Sequence, residues 1–585
     1  MEILPAQARE PNLLVYTQKY GTTESFLGPN FSEKIASEEA FFELNVPQEI
    51  ITLCKEIESL GGRALLVGGS VRDAIISHYS NNNHKPKDFD LEVYGLSASD
   101  LQKILETKYG EENLFLAGKS FNVLKLNFQE LGMQVDVSIP RYDSKVADAG
   151  HSKSFVVYGD PAMSIKDAAK RRDITINSLA YDPLTQTLYD QYDGVKSIEN
   201  KTIEVTDRKL FQDDPLRVFR IMQFSARFDF KVTEETKELC REMVESGVMD
   251  TLSRERVEEE FSKMLLKGIK PSVGLEFAKE IGLVQRFWPE LNAMIGVPQE
   301  PDWHPEGDAW VHTLQVLDAA ADIATRENLN REDRLVFMLA CLSHDFGKPS
   351  TTEFIDGAIR SRGHEQAGVD PARTFVERIY SDKKARLLSD ITRRVLPLVA
   401  EHMKPKEFWK NEVKKGIKQK RAIMHLASKL SNGDRKNYSD GSGASIYLLS
   451  LVAEADQRGR NPGGTPFSRD EVKDLAKWQN WLIETSKDLR IDKKGPDKIL
   501  TGQKLLNELK LTRGGLWMGV VLQSVYLMQL DGEIETPDEA LQAGLLSVET
   551  FKSIIEKVHG NNVDIYDSKY WQTFYRSEDP RVFLI

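Results

Sequence analysis

The feature that most constrains this chain is a change of hydrophobic period near residue 165. Ahead of it, short apolar runs read as strands at 63–67, 89–94, 122–127 and 133–137, with helices over 47–60 and from Ser70 onward. Beyond it, apolar residues recur every three or four positions, as at 215–228, 232–246, 254–266 and 310–324. A strand buries every second residue and a helix buries a stripe, so one pattern cannot serve both. The expectation is an α+β sheet unit followed by a mostly all-α body. A chain of 585 residues has room for about four units at roughly 150 residues each. The units are taken as 46–180, 181–300, 301–460 and 461–585, behind an irregular, Pro-punctuated extension at 1–45.

Composition narrows the class. Forty per cent apolar and 29% charged residues exclude wholesale disorder. A net charge of −12 argues against a protein that coats nucleic acid, yet residues 404–436 hold eleven Lys/Arg against three acids. That basic segment is a candidate phosphate contact, or else a solvated helix face. Cys54, Cys240 and Cys341 lie far apart without a CxxC, which leaves no disulfide framework or zinc ribbon and fits a reducing, cytoplasmic compartment. No apolar run reaches about 18 residues and the N-terminus lacks a signal-peptide pattern, so a soluble protein with no membrane partner is expected.

The chemistry begins where the first strand meets a glycine turn and a helix start, Leu65-Leu66-Val67-Gly68-Gly69-Ser70-Val71-Arg72-Asp73. Backbone N–H groups freed there, together with the helix dipole, favour phosphate. Further on, Lys87-Asp88-Phe89-Asp90-Leu91-Glu92-Val93 sets two carboxylates two residues apart, on one face of a strand. Like charges so close need a cation, and paired carboxylates suit Mg²⁺, which binds through one or two acids plus substrate phosphates. Asp136, in Gln134-Val135-Asp136-Val137, is a candidate third acid by strand alternation alone. Taken singly, a Gly-Gly turn is ordinary turn chemistry and an Asp-x-Asp is usually a solvated face.

Together and in this order, these motifs resemble the nucleotidyltransferase superfamily of DNA polymerase beta. Lys170-Arg171-Arg172-Asp173-Ile174-Thr175-Ile176-Asn177 and Asp213-Asp214-Pro215-Leu216-Arg217-Val218-Phe219-Arg220 narrow the resemblance to bacterial CCA-adding enzymes. These are tRNA nucleotidyltransferases of the branch shared with bacterial poly(A) polymerases, and the likeness runs from about residue 60 to 460. It implies that Gly69 and Arg72 hold the triphosphate, that Asp88 and Asp90 are catalytic and hold Mg²⁺, and that Arg172, Asp214, Arg217 and Arg220 bind the nucleotide. In the family, an acid and an arginine of that helix act as an amino-acid template reading C or A. Arginine's planar fork suits the task, since it bonds a phosphate or a base edge bidentately. One departure stands out: the family usually has Glu-Asp-x-x-Arg where this chain has Asp213-Asp214-Pro215-Leu216-Arg217, one methylene shorter at the first acid. The CTP-to-ATP switch is where that difference falls. Residues 139–169 match in length the flexible loop that such switching uses.

A second constellation lies downstream, where six of the ten histidines fall within 304–425. His312, the His344-Asp345 pair and Asp456 follow the order of HD metal-dependent phosphohydrolases. Imidazole and carboxylate together hold a borderline divalent metal and leave positions for water. His364 and His402 are candidate additional ligands. A lone His-Asp is nearly always chance, but His304-Pro305-Glu306, His344-Asp345-Phe346-Gly347-Lys348 and Ser361-Arg362-Gly363-His364-Glu365 also resemble the HD domain appended to some CCA-adding enzymes. In those relatives the domain has phosphatase and 2′,3′-cyclic phosphodiesterase activity, with a divalent metal whose identity the residues leave open.

The 497–545 segment echoes the C-terminal helical region of HD-containing relatives. The aromatic run Tyr570-Trp571-Gln572-Thr573-Phe574-Tyr575 fits core packing better than base stacking. The resulting expectation is a nucleotidyltransferase sheet domain at 46–180, a helical nucleotide- and RNA-binding domain at 181–300, an HD domain at 301–460 and a helical C-terminal region. Its substrates would be tRNA, CTP and ATP. The rivals are a poly(A) polymerase or a CC-only or A-only enzyme of the same branch, and an HD phosphohydrolase whose first domain only binds RNA.

Overall fold

The computed structural model describes residues 44–80, 88–117, 123–128, 132–145, 155–380, 385–432, 443–461, 471, 474, 476–560, 564–577 and 579–584, and the short strands Tyr16–Thr17, Thr23–Glu24 and Glu39–Phe41. It divides into two compact units, residues 1–256 with 273–283, and residues 257–272 with 284–585.

The first unit is built on an eight-stranded sheet: β1 (Glu39–Phe41), β2 (Arg63–Val67), β3 (Phe89–Tyr94), β4 (Leu114–Ala117), β5 (Val123–Phe128), β6 (Met133–Ser138), β7 (Ala180–Asp182) and β8 (Thr187–Tyr189). Their order across the sheet is β1-β8-β7-β2-β3-β6-β5-β4. Strand β2 is buried at all but its first residue, as a central strand covered on both faces must be, whereas β5 alternates half-buried and buried positions. Leu65, Val67, Tyr94, Ala168, Ala180 and Tyr189 pack together on one side. A side chain the size of Leu65 or Val67 contributes on the order of 1.5–3 kcal/mol by leaving water.

Helix α1 (Gly69–Ser80) starts one residue after the β2 turn, where Gly68 adopts φ +70°. Helix α2 (Leu216–Phe228) buries Val218, Phe219, Ile221 and Met222 and leaves Arg217 and Arg220 half-exposed.

Two features depart from the sequence reading. Strands β7 and β8 return to the sheet from beyond residue 165, because three-residue strands are too short to show a period. Strand β1 lies inside the stretch read as irregular and pairs with the open edge of β8, whose backbone groups need partners. Within 139–169, Arg141–Lys145 and Phe155–Gly159 form an antiparallel pair and Ile165–Lys170 a helix; residues 146–154 lie outside the described residues.

The second unit is helical. Helices α3 (Ala309–Arg326), α4 (Arg331–Ser343), α5 (Ala385–Glu401) and α6 (Ile446–Arg458) pack on one another. Helix α3 is buried nearly all round, and Asp308 caps its start by accepting from the Val311 N–H. Arg326, near the end of α3, donates to both carboxylate oxygens of buried Glu454 on α6 at 2.6 and 2.9 Å. That fork fixes the position of α6 two residues from Asp456. The C-terminal helices close over their own core of Trp517, Val521, Phe551, Trp571 and Phe574, so the aromatic run is core rather than an open stacking surface. Among the described residues no helix is long and apolar enough to cross a membrane.

Candidate functional site

The sheet unit assembles its acids by register. Asp90 on β3 lies directly beside Asp136 on the parallel strand β6, and opposite Val67 at the end of β2. The glycine turn therefore stands over the carboxylates: a Cβ at Gly68 would come within 3.3 Å of Asp90 Oδ2, and its positive φ already disfavours any other residue. Asp88 and Asp90 are both solvent-exposed. Desolvation by the surrounding protein pushes the Asp90 carboxyl above its usual range, Asp136 and Asp88 add to the rise, and Arg172 opposes it. Asp136 already has a cation, because Lys125 Nζ on β5 donates to both of its carboxylate oxygens at 3.0 and 3.1 Å.

The arginines sit behind and beside this edge, each fixed by the protein. Arg172 donates to Glu92 Oε1 at 3.2 Å, and Glu92 is buried two residues from Asp90 on the same strand face. Tyr94 holds the other Glu92 oxygen at 2.8 Å. Arg72 is buried beneath the turn, donating to Asn177 Oδ1 at 2.6 Å and Asp73 Oδ1 at 2.8 Å, with the Phe224 and Phe228 rings against its guanidinium. Arg220 donates to Asp173 Oδ2 at 2.6 Å. Burial raises the Asp173 carboxyl, but Arg220, Asn177 and Arg217 outweigh it and hold the pKa at about 2. Arg217 donates to the main-chain oxygens of Leu210 and Arg171, both at 2.8 Å, which orients the plane of its guanidinium. Asp214 precedes α2, accepts from the Leu216 N–H at 3.1 Å and pairs with Arg256 at 2.8 Å. Arg72 and Arg220 are thus joined through Asn177 and Asp173, whereas Arg172 is tied to Glu92 beside Asp90 and Asp214 is held separately by Arg256.

Sequence reasoning gave no role to Glu92, Asp173, Asn177 or Lys125. Glu92 continues the i, i+2 series of Asp88 and Asp90, and that series was its available signal.

In the helical unit, ligand-type residues from four helices and one short turn converge. His312 comes from α3, His344 and Asp345 from the end of α4, His402 from just beyond α5, Asp456 from α6 and His364 from the start of a short helix. His312 Nε2 is 3.1 Å from Asp456 Oδ1 and 3.7 Å from Asp345 Oδ2. His364 Nε2 is 3.2 Å from Asp345 Oδ1 and 3.3 Å from His402 Nε2. The Nδ1 atoms of His344, His364 and His402 face the carbonyl oxygens of Cys341, Ser361 and Val399 at 2.7–2.8 Å. A carbonyl only accepts, so Nδ1 carries the hydrogen and Nε2 is left as a lone pair pointing inward. Glu306 does the same for His312, accepting from its Nδ1 at 2.7 Å.

Burial opposes charge on Asp345 and Asp456, yet His344 with Lys348, and Arg460 with His312, hold both carboxyls well below their usual range. Burial, with His344 and His364, pushes His402 down to about 3. Ionised carboxylates and a neutral imidazole are the forms that bind metal. His344 Nε2 is buried without a hydrogen-bond partner and lies 3.1 Å from Asp345 Oδ2, which fits a donor set built for a cation. Three overlapping groups of these residues have ligand atoms close enough to share an ion. The cluster opens into a cavity of about 500 Å³. Glu306 and Lys348 lay in quoted segments without a role, although Glu306 lies close in sequence to His304 and His312 and Lys348 to Asp345, and that local spacing was their available signal.

Three family models match segments of the chain: the poly(A) polymerase head domain at 64–204, the probable RNA and SrmB-binding site of polymerase A at 229–295, and the HD domain at 310–433. The multifunctional CCA protein of Neisseria meningitidis serogroup A is 33% identical over 329 residues, 56% of this chain and 71% of that protein. This chain belongs to the multifunctional CCA protein family. A second member, from Pasteurella multocida, is 34% identical over 316 residues, 54% of this chain and 69% of that protein. The fold of the family is shared as well. The Bacillus stearothermophilus CCA-adding enzyme in complex with CTP aligns with 87% of this chain and 98% of its own, at TM-score 0.53 and 15% identity. An apo form of a CCA-adding enzyme aligns with 88% of this chain and 98% of its own, at TM-score 0.50 and 18% identity.

Proposed function

We propose that this family member completes the 3′ end of tRNA, adding CMP and AMP without a nucleic-acid template, and that its helical unit hydrolyses phosphates at RNA ends. The observation that carries the first activity is the register of Asp90 beside Asp136 beneath the Gly68 turn, in a chain of the CCA family.

The tRNA 3′-hydroxyl attacks the α-phosphate of CTP or ATP, its proton leaves, and the bond to pyrophosphate breaks. Asp88 and Asp90 hold Mg²⁺, which when bound favours the ionised hydroxyl and neutralises the leaving charge. Gly68 and Gly69 let the backbone approach the triphosphate at the start of α1, where the helix dipole favours its negative charge. Arg72 supports that turn from beneath and adds positive potential. Arg172, steered by Glu92, reaches the nucleotide phosphates, and Arg220 on Asp173 stiffens the wall behind it. Arg217 and Asp214 read the base edge: the guanidinium donates to an unprotonated ring nitrogen and the carboxylate accepts from the exocyclic amine. C and A both offer that pair, whereas U and G present the reverse.

In the helical unit, His312, His344, Asp345 and Asp456, joined by His364 and His402, hold a divalent metal that acidifies water when bound. Lys348, whose Nζ lies 2.7 Å from Asp345 Oδ2, supplies positive charge to the phosphate under attack. The substrate class is a 2′,3′-cyclic or terminal phosphate on RNA, whose removal returns a hydroxyl that the first site extends.

The test supplies tRNA ending at the discriminator base, at C or at CC with labelled CTP and ATP. Stepwise completion to CCA is expected from all three. A homopolymer of A, or arrest after CC, would overturn the full reaction in favour of the poly(A) or partial enzymes.

A further inference from the structure

The cavity over the histidine cluster has a wall that the metal ligands do not explain. Trp303 lines it while remaining 61% exposed, and Lys406, Lys410 and Arg460 line it too. Single exposed apolar residues are ordinary on protein surfaces. Trp303 differs in what holds it and in what surrounds it.

It sits on a short turn, with its own N–H and that of His304 both donating to the Glu300 oxygen, at 3.0 and 2.9 Å. The turn is anchored at its base. The Glu300 carboxylate accepts from the Ile359 N–H at 2.8 Å, and neighbouring Gln299 accepts from buried Lys348. The indole is thus presented on a fixed mount with much of its surface in water. Beside it, Lys406 Nζ lies 5.4 Å from the Trp303 ring centroid and 5.2 Å from that of Trp478, and the Trp478 and Trp409 rings meet edge to face at 6.2 Å. Lys406 and Lys410 have no ion pair among the described residues. The acids nearest them are already engaged: Glu300 as above, Glu407 by Lys404 at 2.8 Å, and Asp345 and Asp456 within the histidine cluster. Lys410 also opens a π-helical turn, Lys410–Lys414, a distortion that recurs at functional sites.

A histidine and aspartate cluster fit to hold a metal, two ammonium groups without an ion pair among the described residues and a preorganised, partly exposed indole define a ligand with three parts: a phosphoryl group, further negative charge and a flat π surface. We infer that Trp303 is the base platform of the helical unit, stacking the terminal nucleobase of an RNA whose 2′- or 2′,3′-cyclic phosphate enters the histidine cluster, while Lys406 and Lys410 meet its charge. The site then selects nucleotides over phosphate esters that lack a base. Any of the four bases stacks on an indole, so the platform accepts every RNA end. This rests on the hydrolase reading of the same cavity, and the test separates the two.

With the full chain loaded with divalent metal, kcat/KM is measured for cytidine 2′,3′-cyclic phosphate, cytidine 2′-monophosphate and glycerol 2-phosphate, which has no base. Quenching of tryptophan fluorescence by cytidine 2′-monophosphate is recorded in parallel and reads binding without turnover. W303A should raise KM for both cytidine substrates by roughly five- to a hundred-fold. Most of the preference over glycerol 2-phosphate should disappear with it. W303F should keep most of that preference, and quenching should fall in both variants. An unchanged preference in W303A overturns the platform, as does a wild-type chain that treats glycerol 2-phosphate as well as the nucleotides. Quenching lost in W303A with no hydrolysis of any of the three supports the platform and defeats the hydrolase reading instead.

Discussion

The two candidate sites arrange their charged groups in opposite ways. In the sheet unit Asp88 and Asp90 are open to solvent, and the surrounding arginines are tied to Glu92, Asp173 and main-chain oxygens. In the helical unit His312, His344 and Asp345 are almost fully buried, and each imidazole is fixed through Nδ1 with Nε2 turned inward. The difference follows from where the cation is completed. On the function proposed above, the two carboxylates of Asp88 and Asp90 are a partial site, finished by the phosphates of an arriving nucleotide. Six converging nitrogen and oxygen donors are nearly a complete one, held by the protein before any substrate arrives.

That contrast makes the sites separable, and the largest effects test it first. Asp88→Asn or Asp90→Asn should abolish CMP and AMP addition together while RNA affinity stays near wild type, because both nucleotides share the carboxylates. Incorporation above about a tenth of the wild-type rate would contradict their role. His344→Ala with Asp345→Ala should empty the second centre of metal, read by elemental analysis, and end its hydrolysis while tRNA completion continues. Coupled loss would show that the two units depend on one another.

Smaller effects probe the wall of the proposed nucleotide site. The Asp173 carboxyl ordinarily ionises near 3.8 and is held at about 2 when folded. Its contribution is fully present above the ordinary value and is lost as pH falls through about 2. Asp173→Asn should therefore cost on the order of 2–3 kcal/mol at neutral pH, a deficit that fades on acidification toward pH 2, measured by unfolding at a series of pH values. A deficit independent of pH would assign its role to packing. Asp214→Ala should relax discrimination against UTP and GTP by about ten- to a hundred-fold, since an unmatched polar edge costs roughly 1–3 kcal/mol. Unchanged selectivity in kcat/KM for the four nucleotides would refute base reading by Asp214.

The candidate sheet site could be noticed in the sequence because its parts are local. The strands at 63–67 and 89–94 coincide with β2 and β3, and a strand-spaced pair of acids needs no tertiary knowledge to be noticed. Asp136 required a register, and only the parallel pairing of β3 with β6 supplies it. Strands β4, β7 and β8 are three or four residues long, too short to reveal a period. Arg72 carries a different lesson. A sequence shows a cation near a phosphate-binding turn but not that burial obliges its donors to find Asn177 and Asp73. In the helical unit the ligand types were readable, but the tautomers were not. Main-chain oxygens of Cys341, Ser361 and Val399 set them, and a main-chain oxygen leaves no trace in the identity of its residue.

The most direct measurement uses one tRNA that ends at the discriminator base in a 2′,3′-cyclic phosphate, incubated with CTP, ATP and divalent metal, and reads its 3′ end by sequencing. The wild-type chain should deliver CCA. His344→Ala with Asp345→Ala should leave that end blocked yet complete the same tRNA bearing a free hydroxyl, and Asp90→Asn should unblock it without extending it. Extension of the blocked tRNA by the His344/Asp345 variant, or failure of the wild-type chain to extend either tRNA, would contradict an enzyme that prepares an RNA end in one unit and completes it in the other.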